Sequence, residues 1–518
     1  MQHIDETRKS VKARARAACF VLALTLSGGV VLFQHAAGGQ TPQALPLPTS
    51  GRGAQSIGQV DTRQTTLPAG SSVLQPSVMV LGSYEGSVPG TPVTFGPLRL
   101  SIADAVKRGL QTNLGVITSE TVSSTVRAQR MQVLSQMFPQ IGASAGESVM
   151  QLNLASYGFN AISPAIPAVI GPFQYVQTQA NLNWNALSLT NFRNVQAANA
   201  VDRATQMSAR DARELVVLAV CGSYLQVVSA AARIESQRRQ VEYAQAIYDR
   251  ANTQLTAGTN TRVDLTRSLV QLQVEKERLL SLEGDYEQQK IAFARLIGLP
   301  QDTNIVFTEP LESREFATVE QADALRAAFE HRWDLLAAEQ QRNAAERALS
   351  AAHGERLPSV SFNGYYGASG THPSASHGNF AAQGTINIPI FDGGRISGDI
   401  RQAQATLRQR KAEYDDQKAR VEQDVRNAMV QLRVAAGQVK LAQSNRQYAQ
   451  ETLTQSRDRF EAGVTNTVEV VQAQQQEASA ENDYISSLFA LNIARLSLAR
   501  AIGDAEAEVT ILFPDEKH

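Results

Sequence analysis

The chain has 518 residues, too many for one ordinary core, so two or more folding units are expected. Its 48 Lys and Arg against 49 Asp and Glu leave a formal net charge of −1, which excludes the strongly basic surface of a nucleic-acid binder. Two cysteines, Cys19 and Cys221, exclude a disulfide framework.

Residues 1–39 read as a secretory signal peptide. Arg8, Lys9, Lys12, Arg14 and Arg16 lead into an apolar run from Ala17 to Phe33, then into Ala36-Ala37-Gly38-Gly39. Cys19 lies inside that run rather than just after it, which argues against lipidation there. Once the segment is removed, Cys221 remains alone in the apolar run that begins at Leu215 and reads as a small core residue. Residues 40–97 hold Pro42, Pro46, Pro48, Pro68, Pro76, Pro89, Pro92 and Pro97 among Gly, Ser, Thr and Gln, and read as a mobile extension.

Ser101 is an N-cap for a helix running to about Phe138, and a second such helix runs from Thr318 to about Leu357. Each ends in a proline, Pro139 or Pro358, followed by alternation of apolar and polar residues. Strands are expected at about 139–152, 173–185, 358–367 and 380–390. Val176, Thr178, Ala180, Leu182 and Trp184 alternate with Gln177, Gln179, Asn181 and Asn183; Phe380 to Ile390 alternate likewise. One apolar face and one amide face suit either a barrel wall between lipid and water or a strand covering a soluble core.

Long helices follow, at roughly 192–256 and 394–461, each reaching about 100 Å at 1.5 Å per residue. Val421, Val425, Ala428, Leu432, Ala435, Val439 and Ala442 form a heptad seam, and Val241, Ala244, Tyr248, Ala251 and Leu255 form another. Ala257-Gly258 stops the first long helix and Ala462-Gly463 the second, since Gly readily takes the left-handed conformation that closes a helix. An acid, Asp264 or Glu469, then stands in the first turn of a returning helix, about 262–297 or 467–502. Gly258 and Gly463 lie 205 positions apart, as do Tyr243-Ala244-Gln245 and Tyr448-Ala449-Gln450, and Ile297-Gly298 and Ile502-Gly503. The chain is a tandem duplication, with repeats at 98–305 and 306–512 and a tail at 513–518.

Four strands cannot close a barrel, and lipid tolerates no open edge. Either the strands are a soluble sheet or several chains pool them, and three chains would give twelve strands continuous with a bundle of twelve helical strands. The expected class is therefore mainly α with a small β part: duplicated long helical hairpins forming an α-barrel, and four strands per chain contributing to a trimeric, twelve-stranded transmembrane β-barrel.

The order helix, strand, strand, long helix, Ala-Gly tip, helix, given twice, resembles the TolC-type outer-membrane efflux channels over about 98–512. The residues carrying the resemblance are Ala257-Gly258 with Asp264, Ala462-Gly463 with Glu469, and the strand–helix junction Ile388-Pro389-Ile390-Phe391-Asp392-Gly393-Gly394-Arg395. The first junction, Trp184-Asn185-Ala186-Leu187-Ser188, lacks the Pro and the Gly pair. The resemblance implies a homotrimer spanning the outer-membrane lipid and crossing the periplasm. Its tips Ala257, Gly258, Ala462 and Gly463 would meet a periplasmic adaptor that links to an inner-membrane pump. It places Arg262, Asp264, Phe460, Thr465, Glu469 and Gln472 around the entrance aperture. Phe460 stands where some members have Tyr, Thr465 where they have Arg, and Gln472 where some have an acid.

The rival reading is a soluble or peripheral periplasmic coiled-coil adaptor, which would carry one hairpin flanked by β-rich modules rather than two hairpins and four strands. No catalytic constellation, phosphate-binding Gly loop or metal-ligand spacing among His331, His353, His372, His377 and His518 is found. The reading calls for no cofactor and no enzymatic activity.

Overall fold

The computed structural model describes residues 59–65, 75–89, 96–154, 167–259, 261–311, 320–462, 464–465 and 467–506. The signal-peptide reading, the 513–518 tail, and Gly463 of the second tip lie outside them. The extension is not structureless where it is described. Strands β1 (Gln59–Thr65) and β2 (Gln75–Leu81) pair antiparallel, and Tyr84 beyond them is buried. Sequence composition missed this because the order comes from tertiary contacts: Asn113 Nδ2 donates to the Tyr84 carbonyl at 2.8 Å, and the Tyr84 ring lies against Gly115.

Strand β3 (Leu98–Leu100) leads into α1 (Ile102–Thr112), capped by Ser101, whose hydroxyl accepts from the Asp104 N–H. The single helix expected to Phe138 is broken at Asn113, and α2 (Leu114–Ser135) restarts there with the Asn113 side chain accepting from the Gly115 N–H. The second repeat breaks likewise. Helices α5 (Gln321–His331) and α6 (Trp333–Gly354) flank Arg332, whose backbone is extended at φ −67, ψ 116. Asn competes locally for backbone groups; Arg332 is instead held by Asp334 and Asp424 at 2.6 and 2.9 Å.

Between these segments run β4 (Gln140–Asn153), β5 (Val169–Leu187), α3 (Leu189–Thr256), α4 (Arg262–Leu296) and β6 (Ile305–Phe307). The second repeat continues with β7 (Ser359–Gly370), β8 (His377–Asn387), α7 (Arg395–Glu461) and α8 (Thr467–Ile502). The molecule is mostly helical with a small sheet part. Strands β4, β5, β7 and β8 form one antiparallel sheet in that order, with β4 and β8 as its edges. Pairing stops at Asn387, so Ile388 and Ile390 belong to the corner rather than to the alternating strand. Pro389 has no N–H to offer a ladder.

The main core sits midway along α3. Val216, Val217, Val220, Cys221 and Tyr224 are fully buried there, packed with Phe293, Ile297 and Leu496. Tyr224, Phe293 and Phe307 meet ring on ring at 5.0–5.9 Å. The Tyr224 hydroxyl donates to the Leu100 carbonyl at 3.0 Å and accepts from the Thr308 N–H at 3.2 Å, tying the parallel β3–β6 pair to the helix. Stretches of α3 and α8 are apolar enough to cross a membrane by length and composition, but 67% and 78% of those stretches are buried within the molecule. Towards the tips the packing thins to seams: Val421, Val425, Ala428, Ala435, Val439 and Ala442 are buried and Leu432 half-buried. Of the first seam, Ala244 and Ala251 are buried and the larger residues half-buried.

Candidate functional site

At one end of the molecule, register alone sorts the sheet into two faces. Rows Ile141–Leu182–Gly364–Ala382 and Ala143–Ala180–Tyr366–Phe380 cross all four strands on one face. Rows Gln140–Asn183–Asn363–Gln383 and Ser144–Gln179–Gly367–Asn379 cross on the other. The apolar face is open: Ile141 is 77% exposed, Phe380 76% and Ile386 67%. On the amide face Gln177, Gln179 and Asn181 are half-buried, while the row Gln140–Asn183–Asn363–Gln383 is exposed. Gly367 sits so close to the Thr178 carbonyl and Gln179 that no side chain would fit.

The corner from β8 into α7 is built by three residues. Asp392 accepts from the Gly394 N–H at 3.1 Å and the Ile396 N–H at 2.6 Å, and these backbone bonds hold its carboxyl below the ordinary range. Gly393 and Gly394 take φ of 66° and 94°, a region that L side chains avoid. Ile390 and Phe391 consequently project outward, 94% and 90% exposed. At the first corner, without Pro or Gly pair, Ser188 caps α3 and the Trp184 indole donates to the Met137 carbonyl at 3.0 Å.

At the opposite end lie the tips. Ala257 closes α3, Gly258 takes φ 74°, and the Thr259 N–H reaches the Gln254 carbonyl at 2.9 Å, the six-to-one bond of a Schellman turn. The Val464 N–H reaches the Arg459 carbonyl in the same way at 2.9 Å, two residues after Ala462 closes α7. Thr261 caps α4, and Arg262 is its exposed first residue. The acids at both tips are paired: Asp264 with Arg267 at 3.3 Å, and Glu469 with Arg459 at 2.9 Å and with the Thr465 hydroxyl. Gln472 is exposed and lines, with Ala244, Ile247, Asp264, Arg267 and Val468, a cleft of about 110 Å³ between α3, α4 and α8.

Several polar contacts joining the two hairpins escaped the sequence reading. The Arg250 guanidinium lies 4.9 Å over the Phe460 ring, and reciprocally Arg457 lies 4.8 Å over Tyr243. Deeper in, Gln240 donates to Glu477 at 2.6 Å, and Glu481 is held by Arg239 at 3.5 Å and Arg446 at 2.5 Å. Burial pushes the Glu477 carboxyl up, and the Gln240 amide offsets only part of that. Glu477 is the detectable signal: an acid on a face where Val470, Ala473 and Ala480 mark a buried seam.

Near the mid-height core, Asp334 takes bonds from Arg332 and Gln417. Burial acts to raise its pKa, but the hydrogen bonds and charge of Arg332 win, and the carboxyl is held below its ordinary value. Among the described residues, no three His, Cys, Asp or Glu side chains are grouped as a metal site.

A sequence model of the outer membrane efflux protein family matches residues 120–299 and 324–504. The outer membrane protein OprJ of Pseudomonas aeruginosa is 26% identical over 310 residues, covering 58% of this chain and 64% of that protein's length. The cation efflux system protein CusC of Escherichia coli is 24% identical over 308 residues, 58% of this chain and 66% of its own. Among solved structures, the Campylobacter jejuni CmeC outer membrane channel superposes with a TM-score of 0.69 at 14% identity, covering 86% of this chain and 94% of that one.

Proposed function

The chain belongs to the outer membrane efflux protein family, and from that premise we propose that it is an outer-membrane channel that conducts substrates from the periplasm to the exterior. Three copies pool four strands each into a closed twelve-stranded barrel, and their helices continue it as a tunnel. The observation that carries this is the two-faced sheet. Five apolar rows run from Val360–Ile386 to Ala145–Thr178–Ala368–Gly378, and the next contains Glu147. At about 3.4 Å per residue and a tilt of about 40°, those rows stand roughly 20 Å tall, close to the apolar band of a membrane barrel. A soluble adaptor would leave that face, with Tyr366 at 73% and Phe380 at 76% exposure, in water without cause.

In this reading Ala257, Gly258, Ala462 and Gly463 form the surface on which adaptor hairpins dock, delivering what an inner-membrane pump releases. Arg262, Asp264, Phe460, Thr465, Glu469 and Gln472 surround the entrance. Their placement where both hairpins reverse supports this assignment. The test is reconstitution of the detergent-extracted protein in planar bilayers. Discrete conductance steps are expected; extraction into plain buffer with no conductance would contradict a channel.

A further inference from the structure

The two ends of the molecule differ in charge as well as in fold. Across β4, β5, β7 and β8 the sole Asp, Glu, Lys or Arg is Glu147. Register puts Glu147 on the apolar face, opposite Val176. The amide face therefore carries no fixed charge along its whole height. Toward the strand ends far from the helices its side chains engage one another: Gln177 bonds to Gln179, Asn181 donates to Ser144 at 3.3 Å, and Asn379 donates to Ser369 at 3.0 Å. The row Gln140–Asn183–Asn363–Gln383 differs. It crosses all four strands in register, each of its amides is exposed, and among the described residues none of the four makes a side-chain hydrogen bond to another residue. Tyr365 stands two positions beyond Asn363 on the same face, 36% exposed.

Resting on the channel reading above, in which this face lines the passage, we infer that the row is a binding belt for neutral saccharide chains in transit. Charge comes first. A wall without fixed charge supplies no counter-ion to an anion or a cation, so ionic cargo gains nothing by touching it. Hydrogen bonding comes second. Each amide presents two N–H donors and a carbonyl acceptor on one plane, and adjacent sugar hydroxyls offer the complementary set. Binding here breaks no bond already made, whereas Asn181 and Asn379 would first have to release Ser144 and Ser369. Spacing comes third. Neighbouring strands stand about 4.8 Å apart, so the amides recur along the row at about the length of one pyranose ring. The Tyr365 ring, about 7 Å further along its strand, adds an apolar surface for the C–H face of a sugar. The tips are built the opposite way, from the ion pairs of Asp264 with Arg267 and Glu469 with Arg459. Sorting by charge thus belongs to the helical end, and recognition of hydroxyl groups to the sheet.

The test is current through the full-length protein in planar bilayers, with maltohexaose added to either side as the neutral saccharide and poly(ethylene glycol) of equal hydrodynamic size as the volume control. Maltohexaose should interrupt the current at concentrations where the polymer does not. Asn183→Ala with Asn363→Ala removes two amides of the belt and should weaken that block about tenfold, since two hydrogen bonds to neutral groups together contribute about one decade in affinity. Asn379→Ala, whose amide is already engaged with Ser369, should change it less than about twofold. Unchanged conductance steps and circular dichroism report that each variant still folds and inserts. Equal interruption by saccharide and polymer, or a double variant that blocks like wild type, overturns the saccharide belt and leaves the channel standing. Block by a charged saccharide of the same length at lower concentration than maltohexaose also overturns it, because the wall would then be selecting charge. A wild-type protein that gives no conductance steps overturns the channel reading on which the inference rests.

Discussion

The core midway along α3 and the sheet at its end use the same side chains to opposite effect. Phe293 and Tyr224 are 1% and 0% exposed, whereas Phe380 and Tyr366 are 76% and 73% exposed. A chain does not place both patterns in one solvent, because each apolar side chain left in water forgoes about 1.5–3 kcal/mol of burial. The core is folded against water; in the proposed reading the sheet meets lipid on one face and water on the other.

That contrast can be broken first from the core side. Phe293→Ala should cost about 3–5 kcal/mol, the range for truncating a buried aromatic, read as loss of folded protein in denaturant titration. Arg332→Ala should come close to it, at about 3–5 kcal/mol, because it strands Asp334, 20% exposed, beside a vacated site, while Asp424, 53% exposed, is left to solvent. The side chain of Arg332 is 7% exposed, so little of that loss is recovered by water. The same pair gives the core a pH dependence. Asp334 is held below its ordinary pKa, so its stabilisation is full above the unfolded value of about 3.9 and lost as pH falls through the lower folded value. Wild type should therefore destabilise below pH about 4 more steeply than Asp334→Asn in thermal melts.

From the sheet side, Leu182→Arg should cost about 2–4 kcal/mol if the site lies near the bilayer midplane, while Asn183→Arg on the amide face should be tolerated. Equal damage at both positions, read from refolding into detergent or lipid, would mean a sheet buried on both faces. Ile388 is a weaker probe than alternation alone suggests, because it lies in the corner beyond the last paired residue, Asn387.

Duplication, helix-stopping glycines and strand alternation were legible in the sequence because each is a local pattern or a repeated one. The breaks at Asn113 and Arg332 were not: Arg332 does not stop a helix by propensity, and although Asn113 caps the restarted helix locally, each is fixed by a distant partner, Tyr84 in one case and Asp424 in the other. The β1–β2 pair was missed for a related reason: a Pro-rich composition hides an element whose neighbours supply its order. At the tips the acids Asp264 and Glu469 were visible, but Arg267 and Arg459 could be matched to them only in three dimensions.

The tips sharpen the comparison last, with small effects on stability and larger ones on transport. Gly463→Trp should block efflux by obstructing adaptor docking while trimer yield and barrel insertion stay unchanged; normal export by that variant would remove the tips from the docking surface. Asp264→Asn with Glu469→Gln should lower cation preference in bilayer conductance by a modest factor, because each acid already faces an arginine. An unaltered ion preference would place both acids outside the conduction path.

The most direct measurement of the central claim is the mass of the detergent-solubilised complex by sedimentation, alongside circular dichroism. Four strands with two free edges cannot stand alone in lipid. The account predicts a trimer that retains its β content and loses it on dissociation. A monomer with full β content would contradict it.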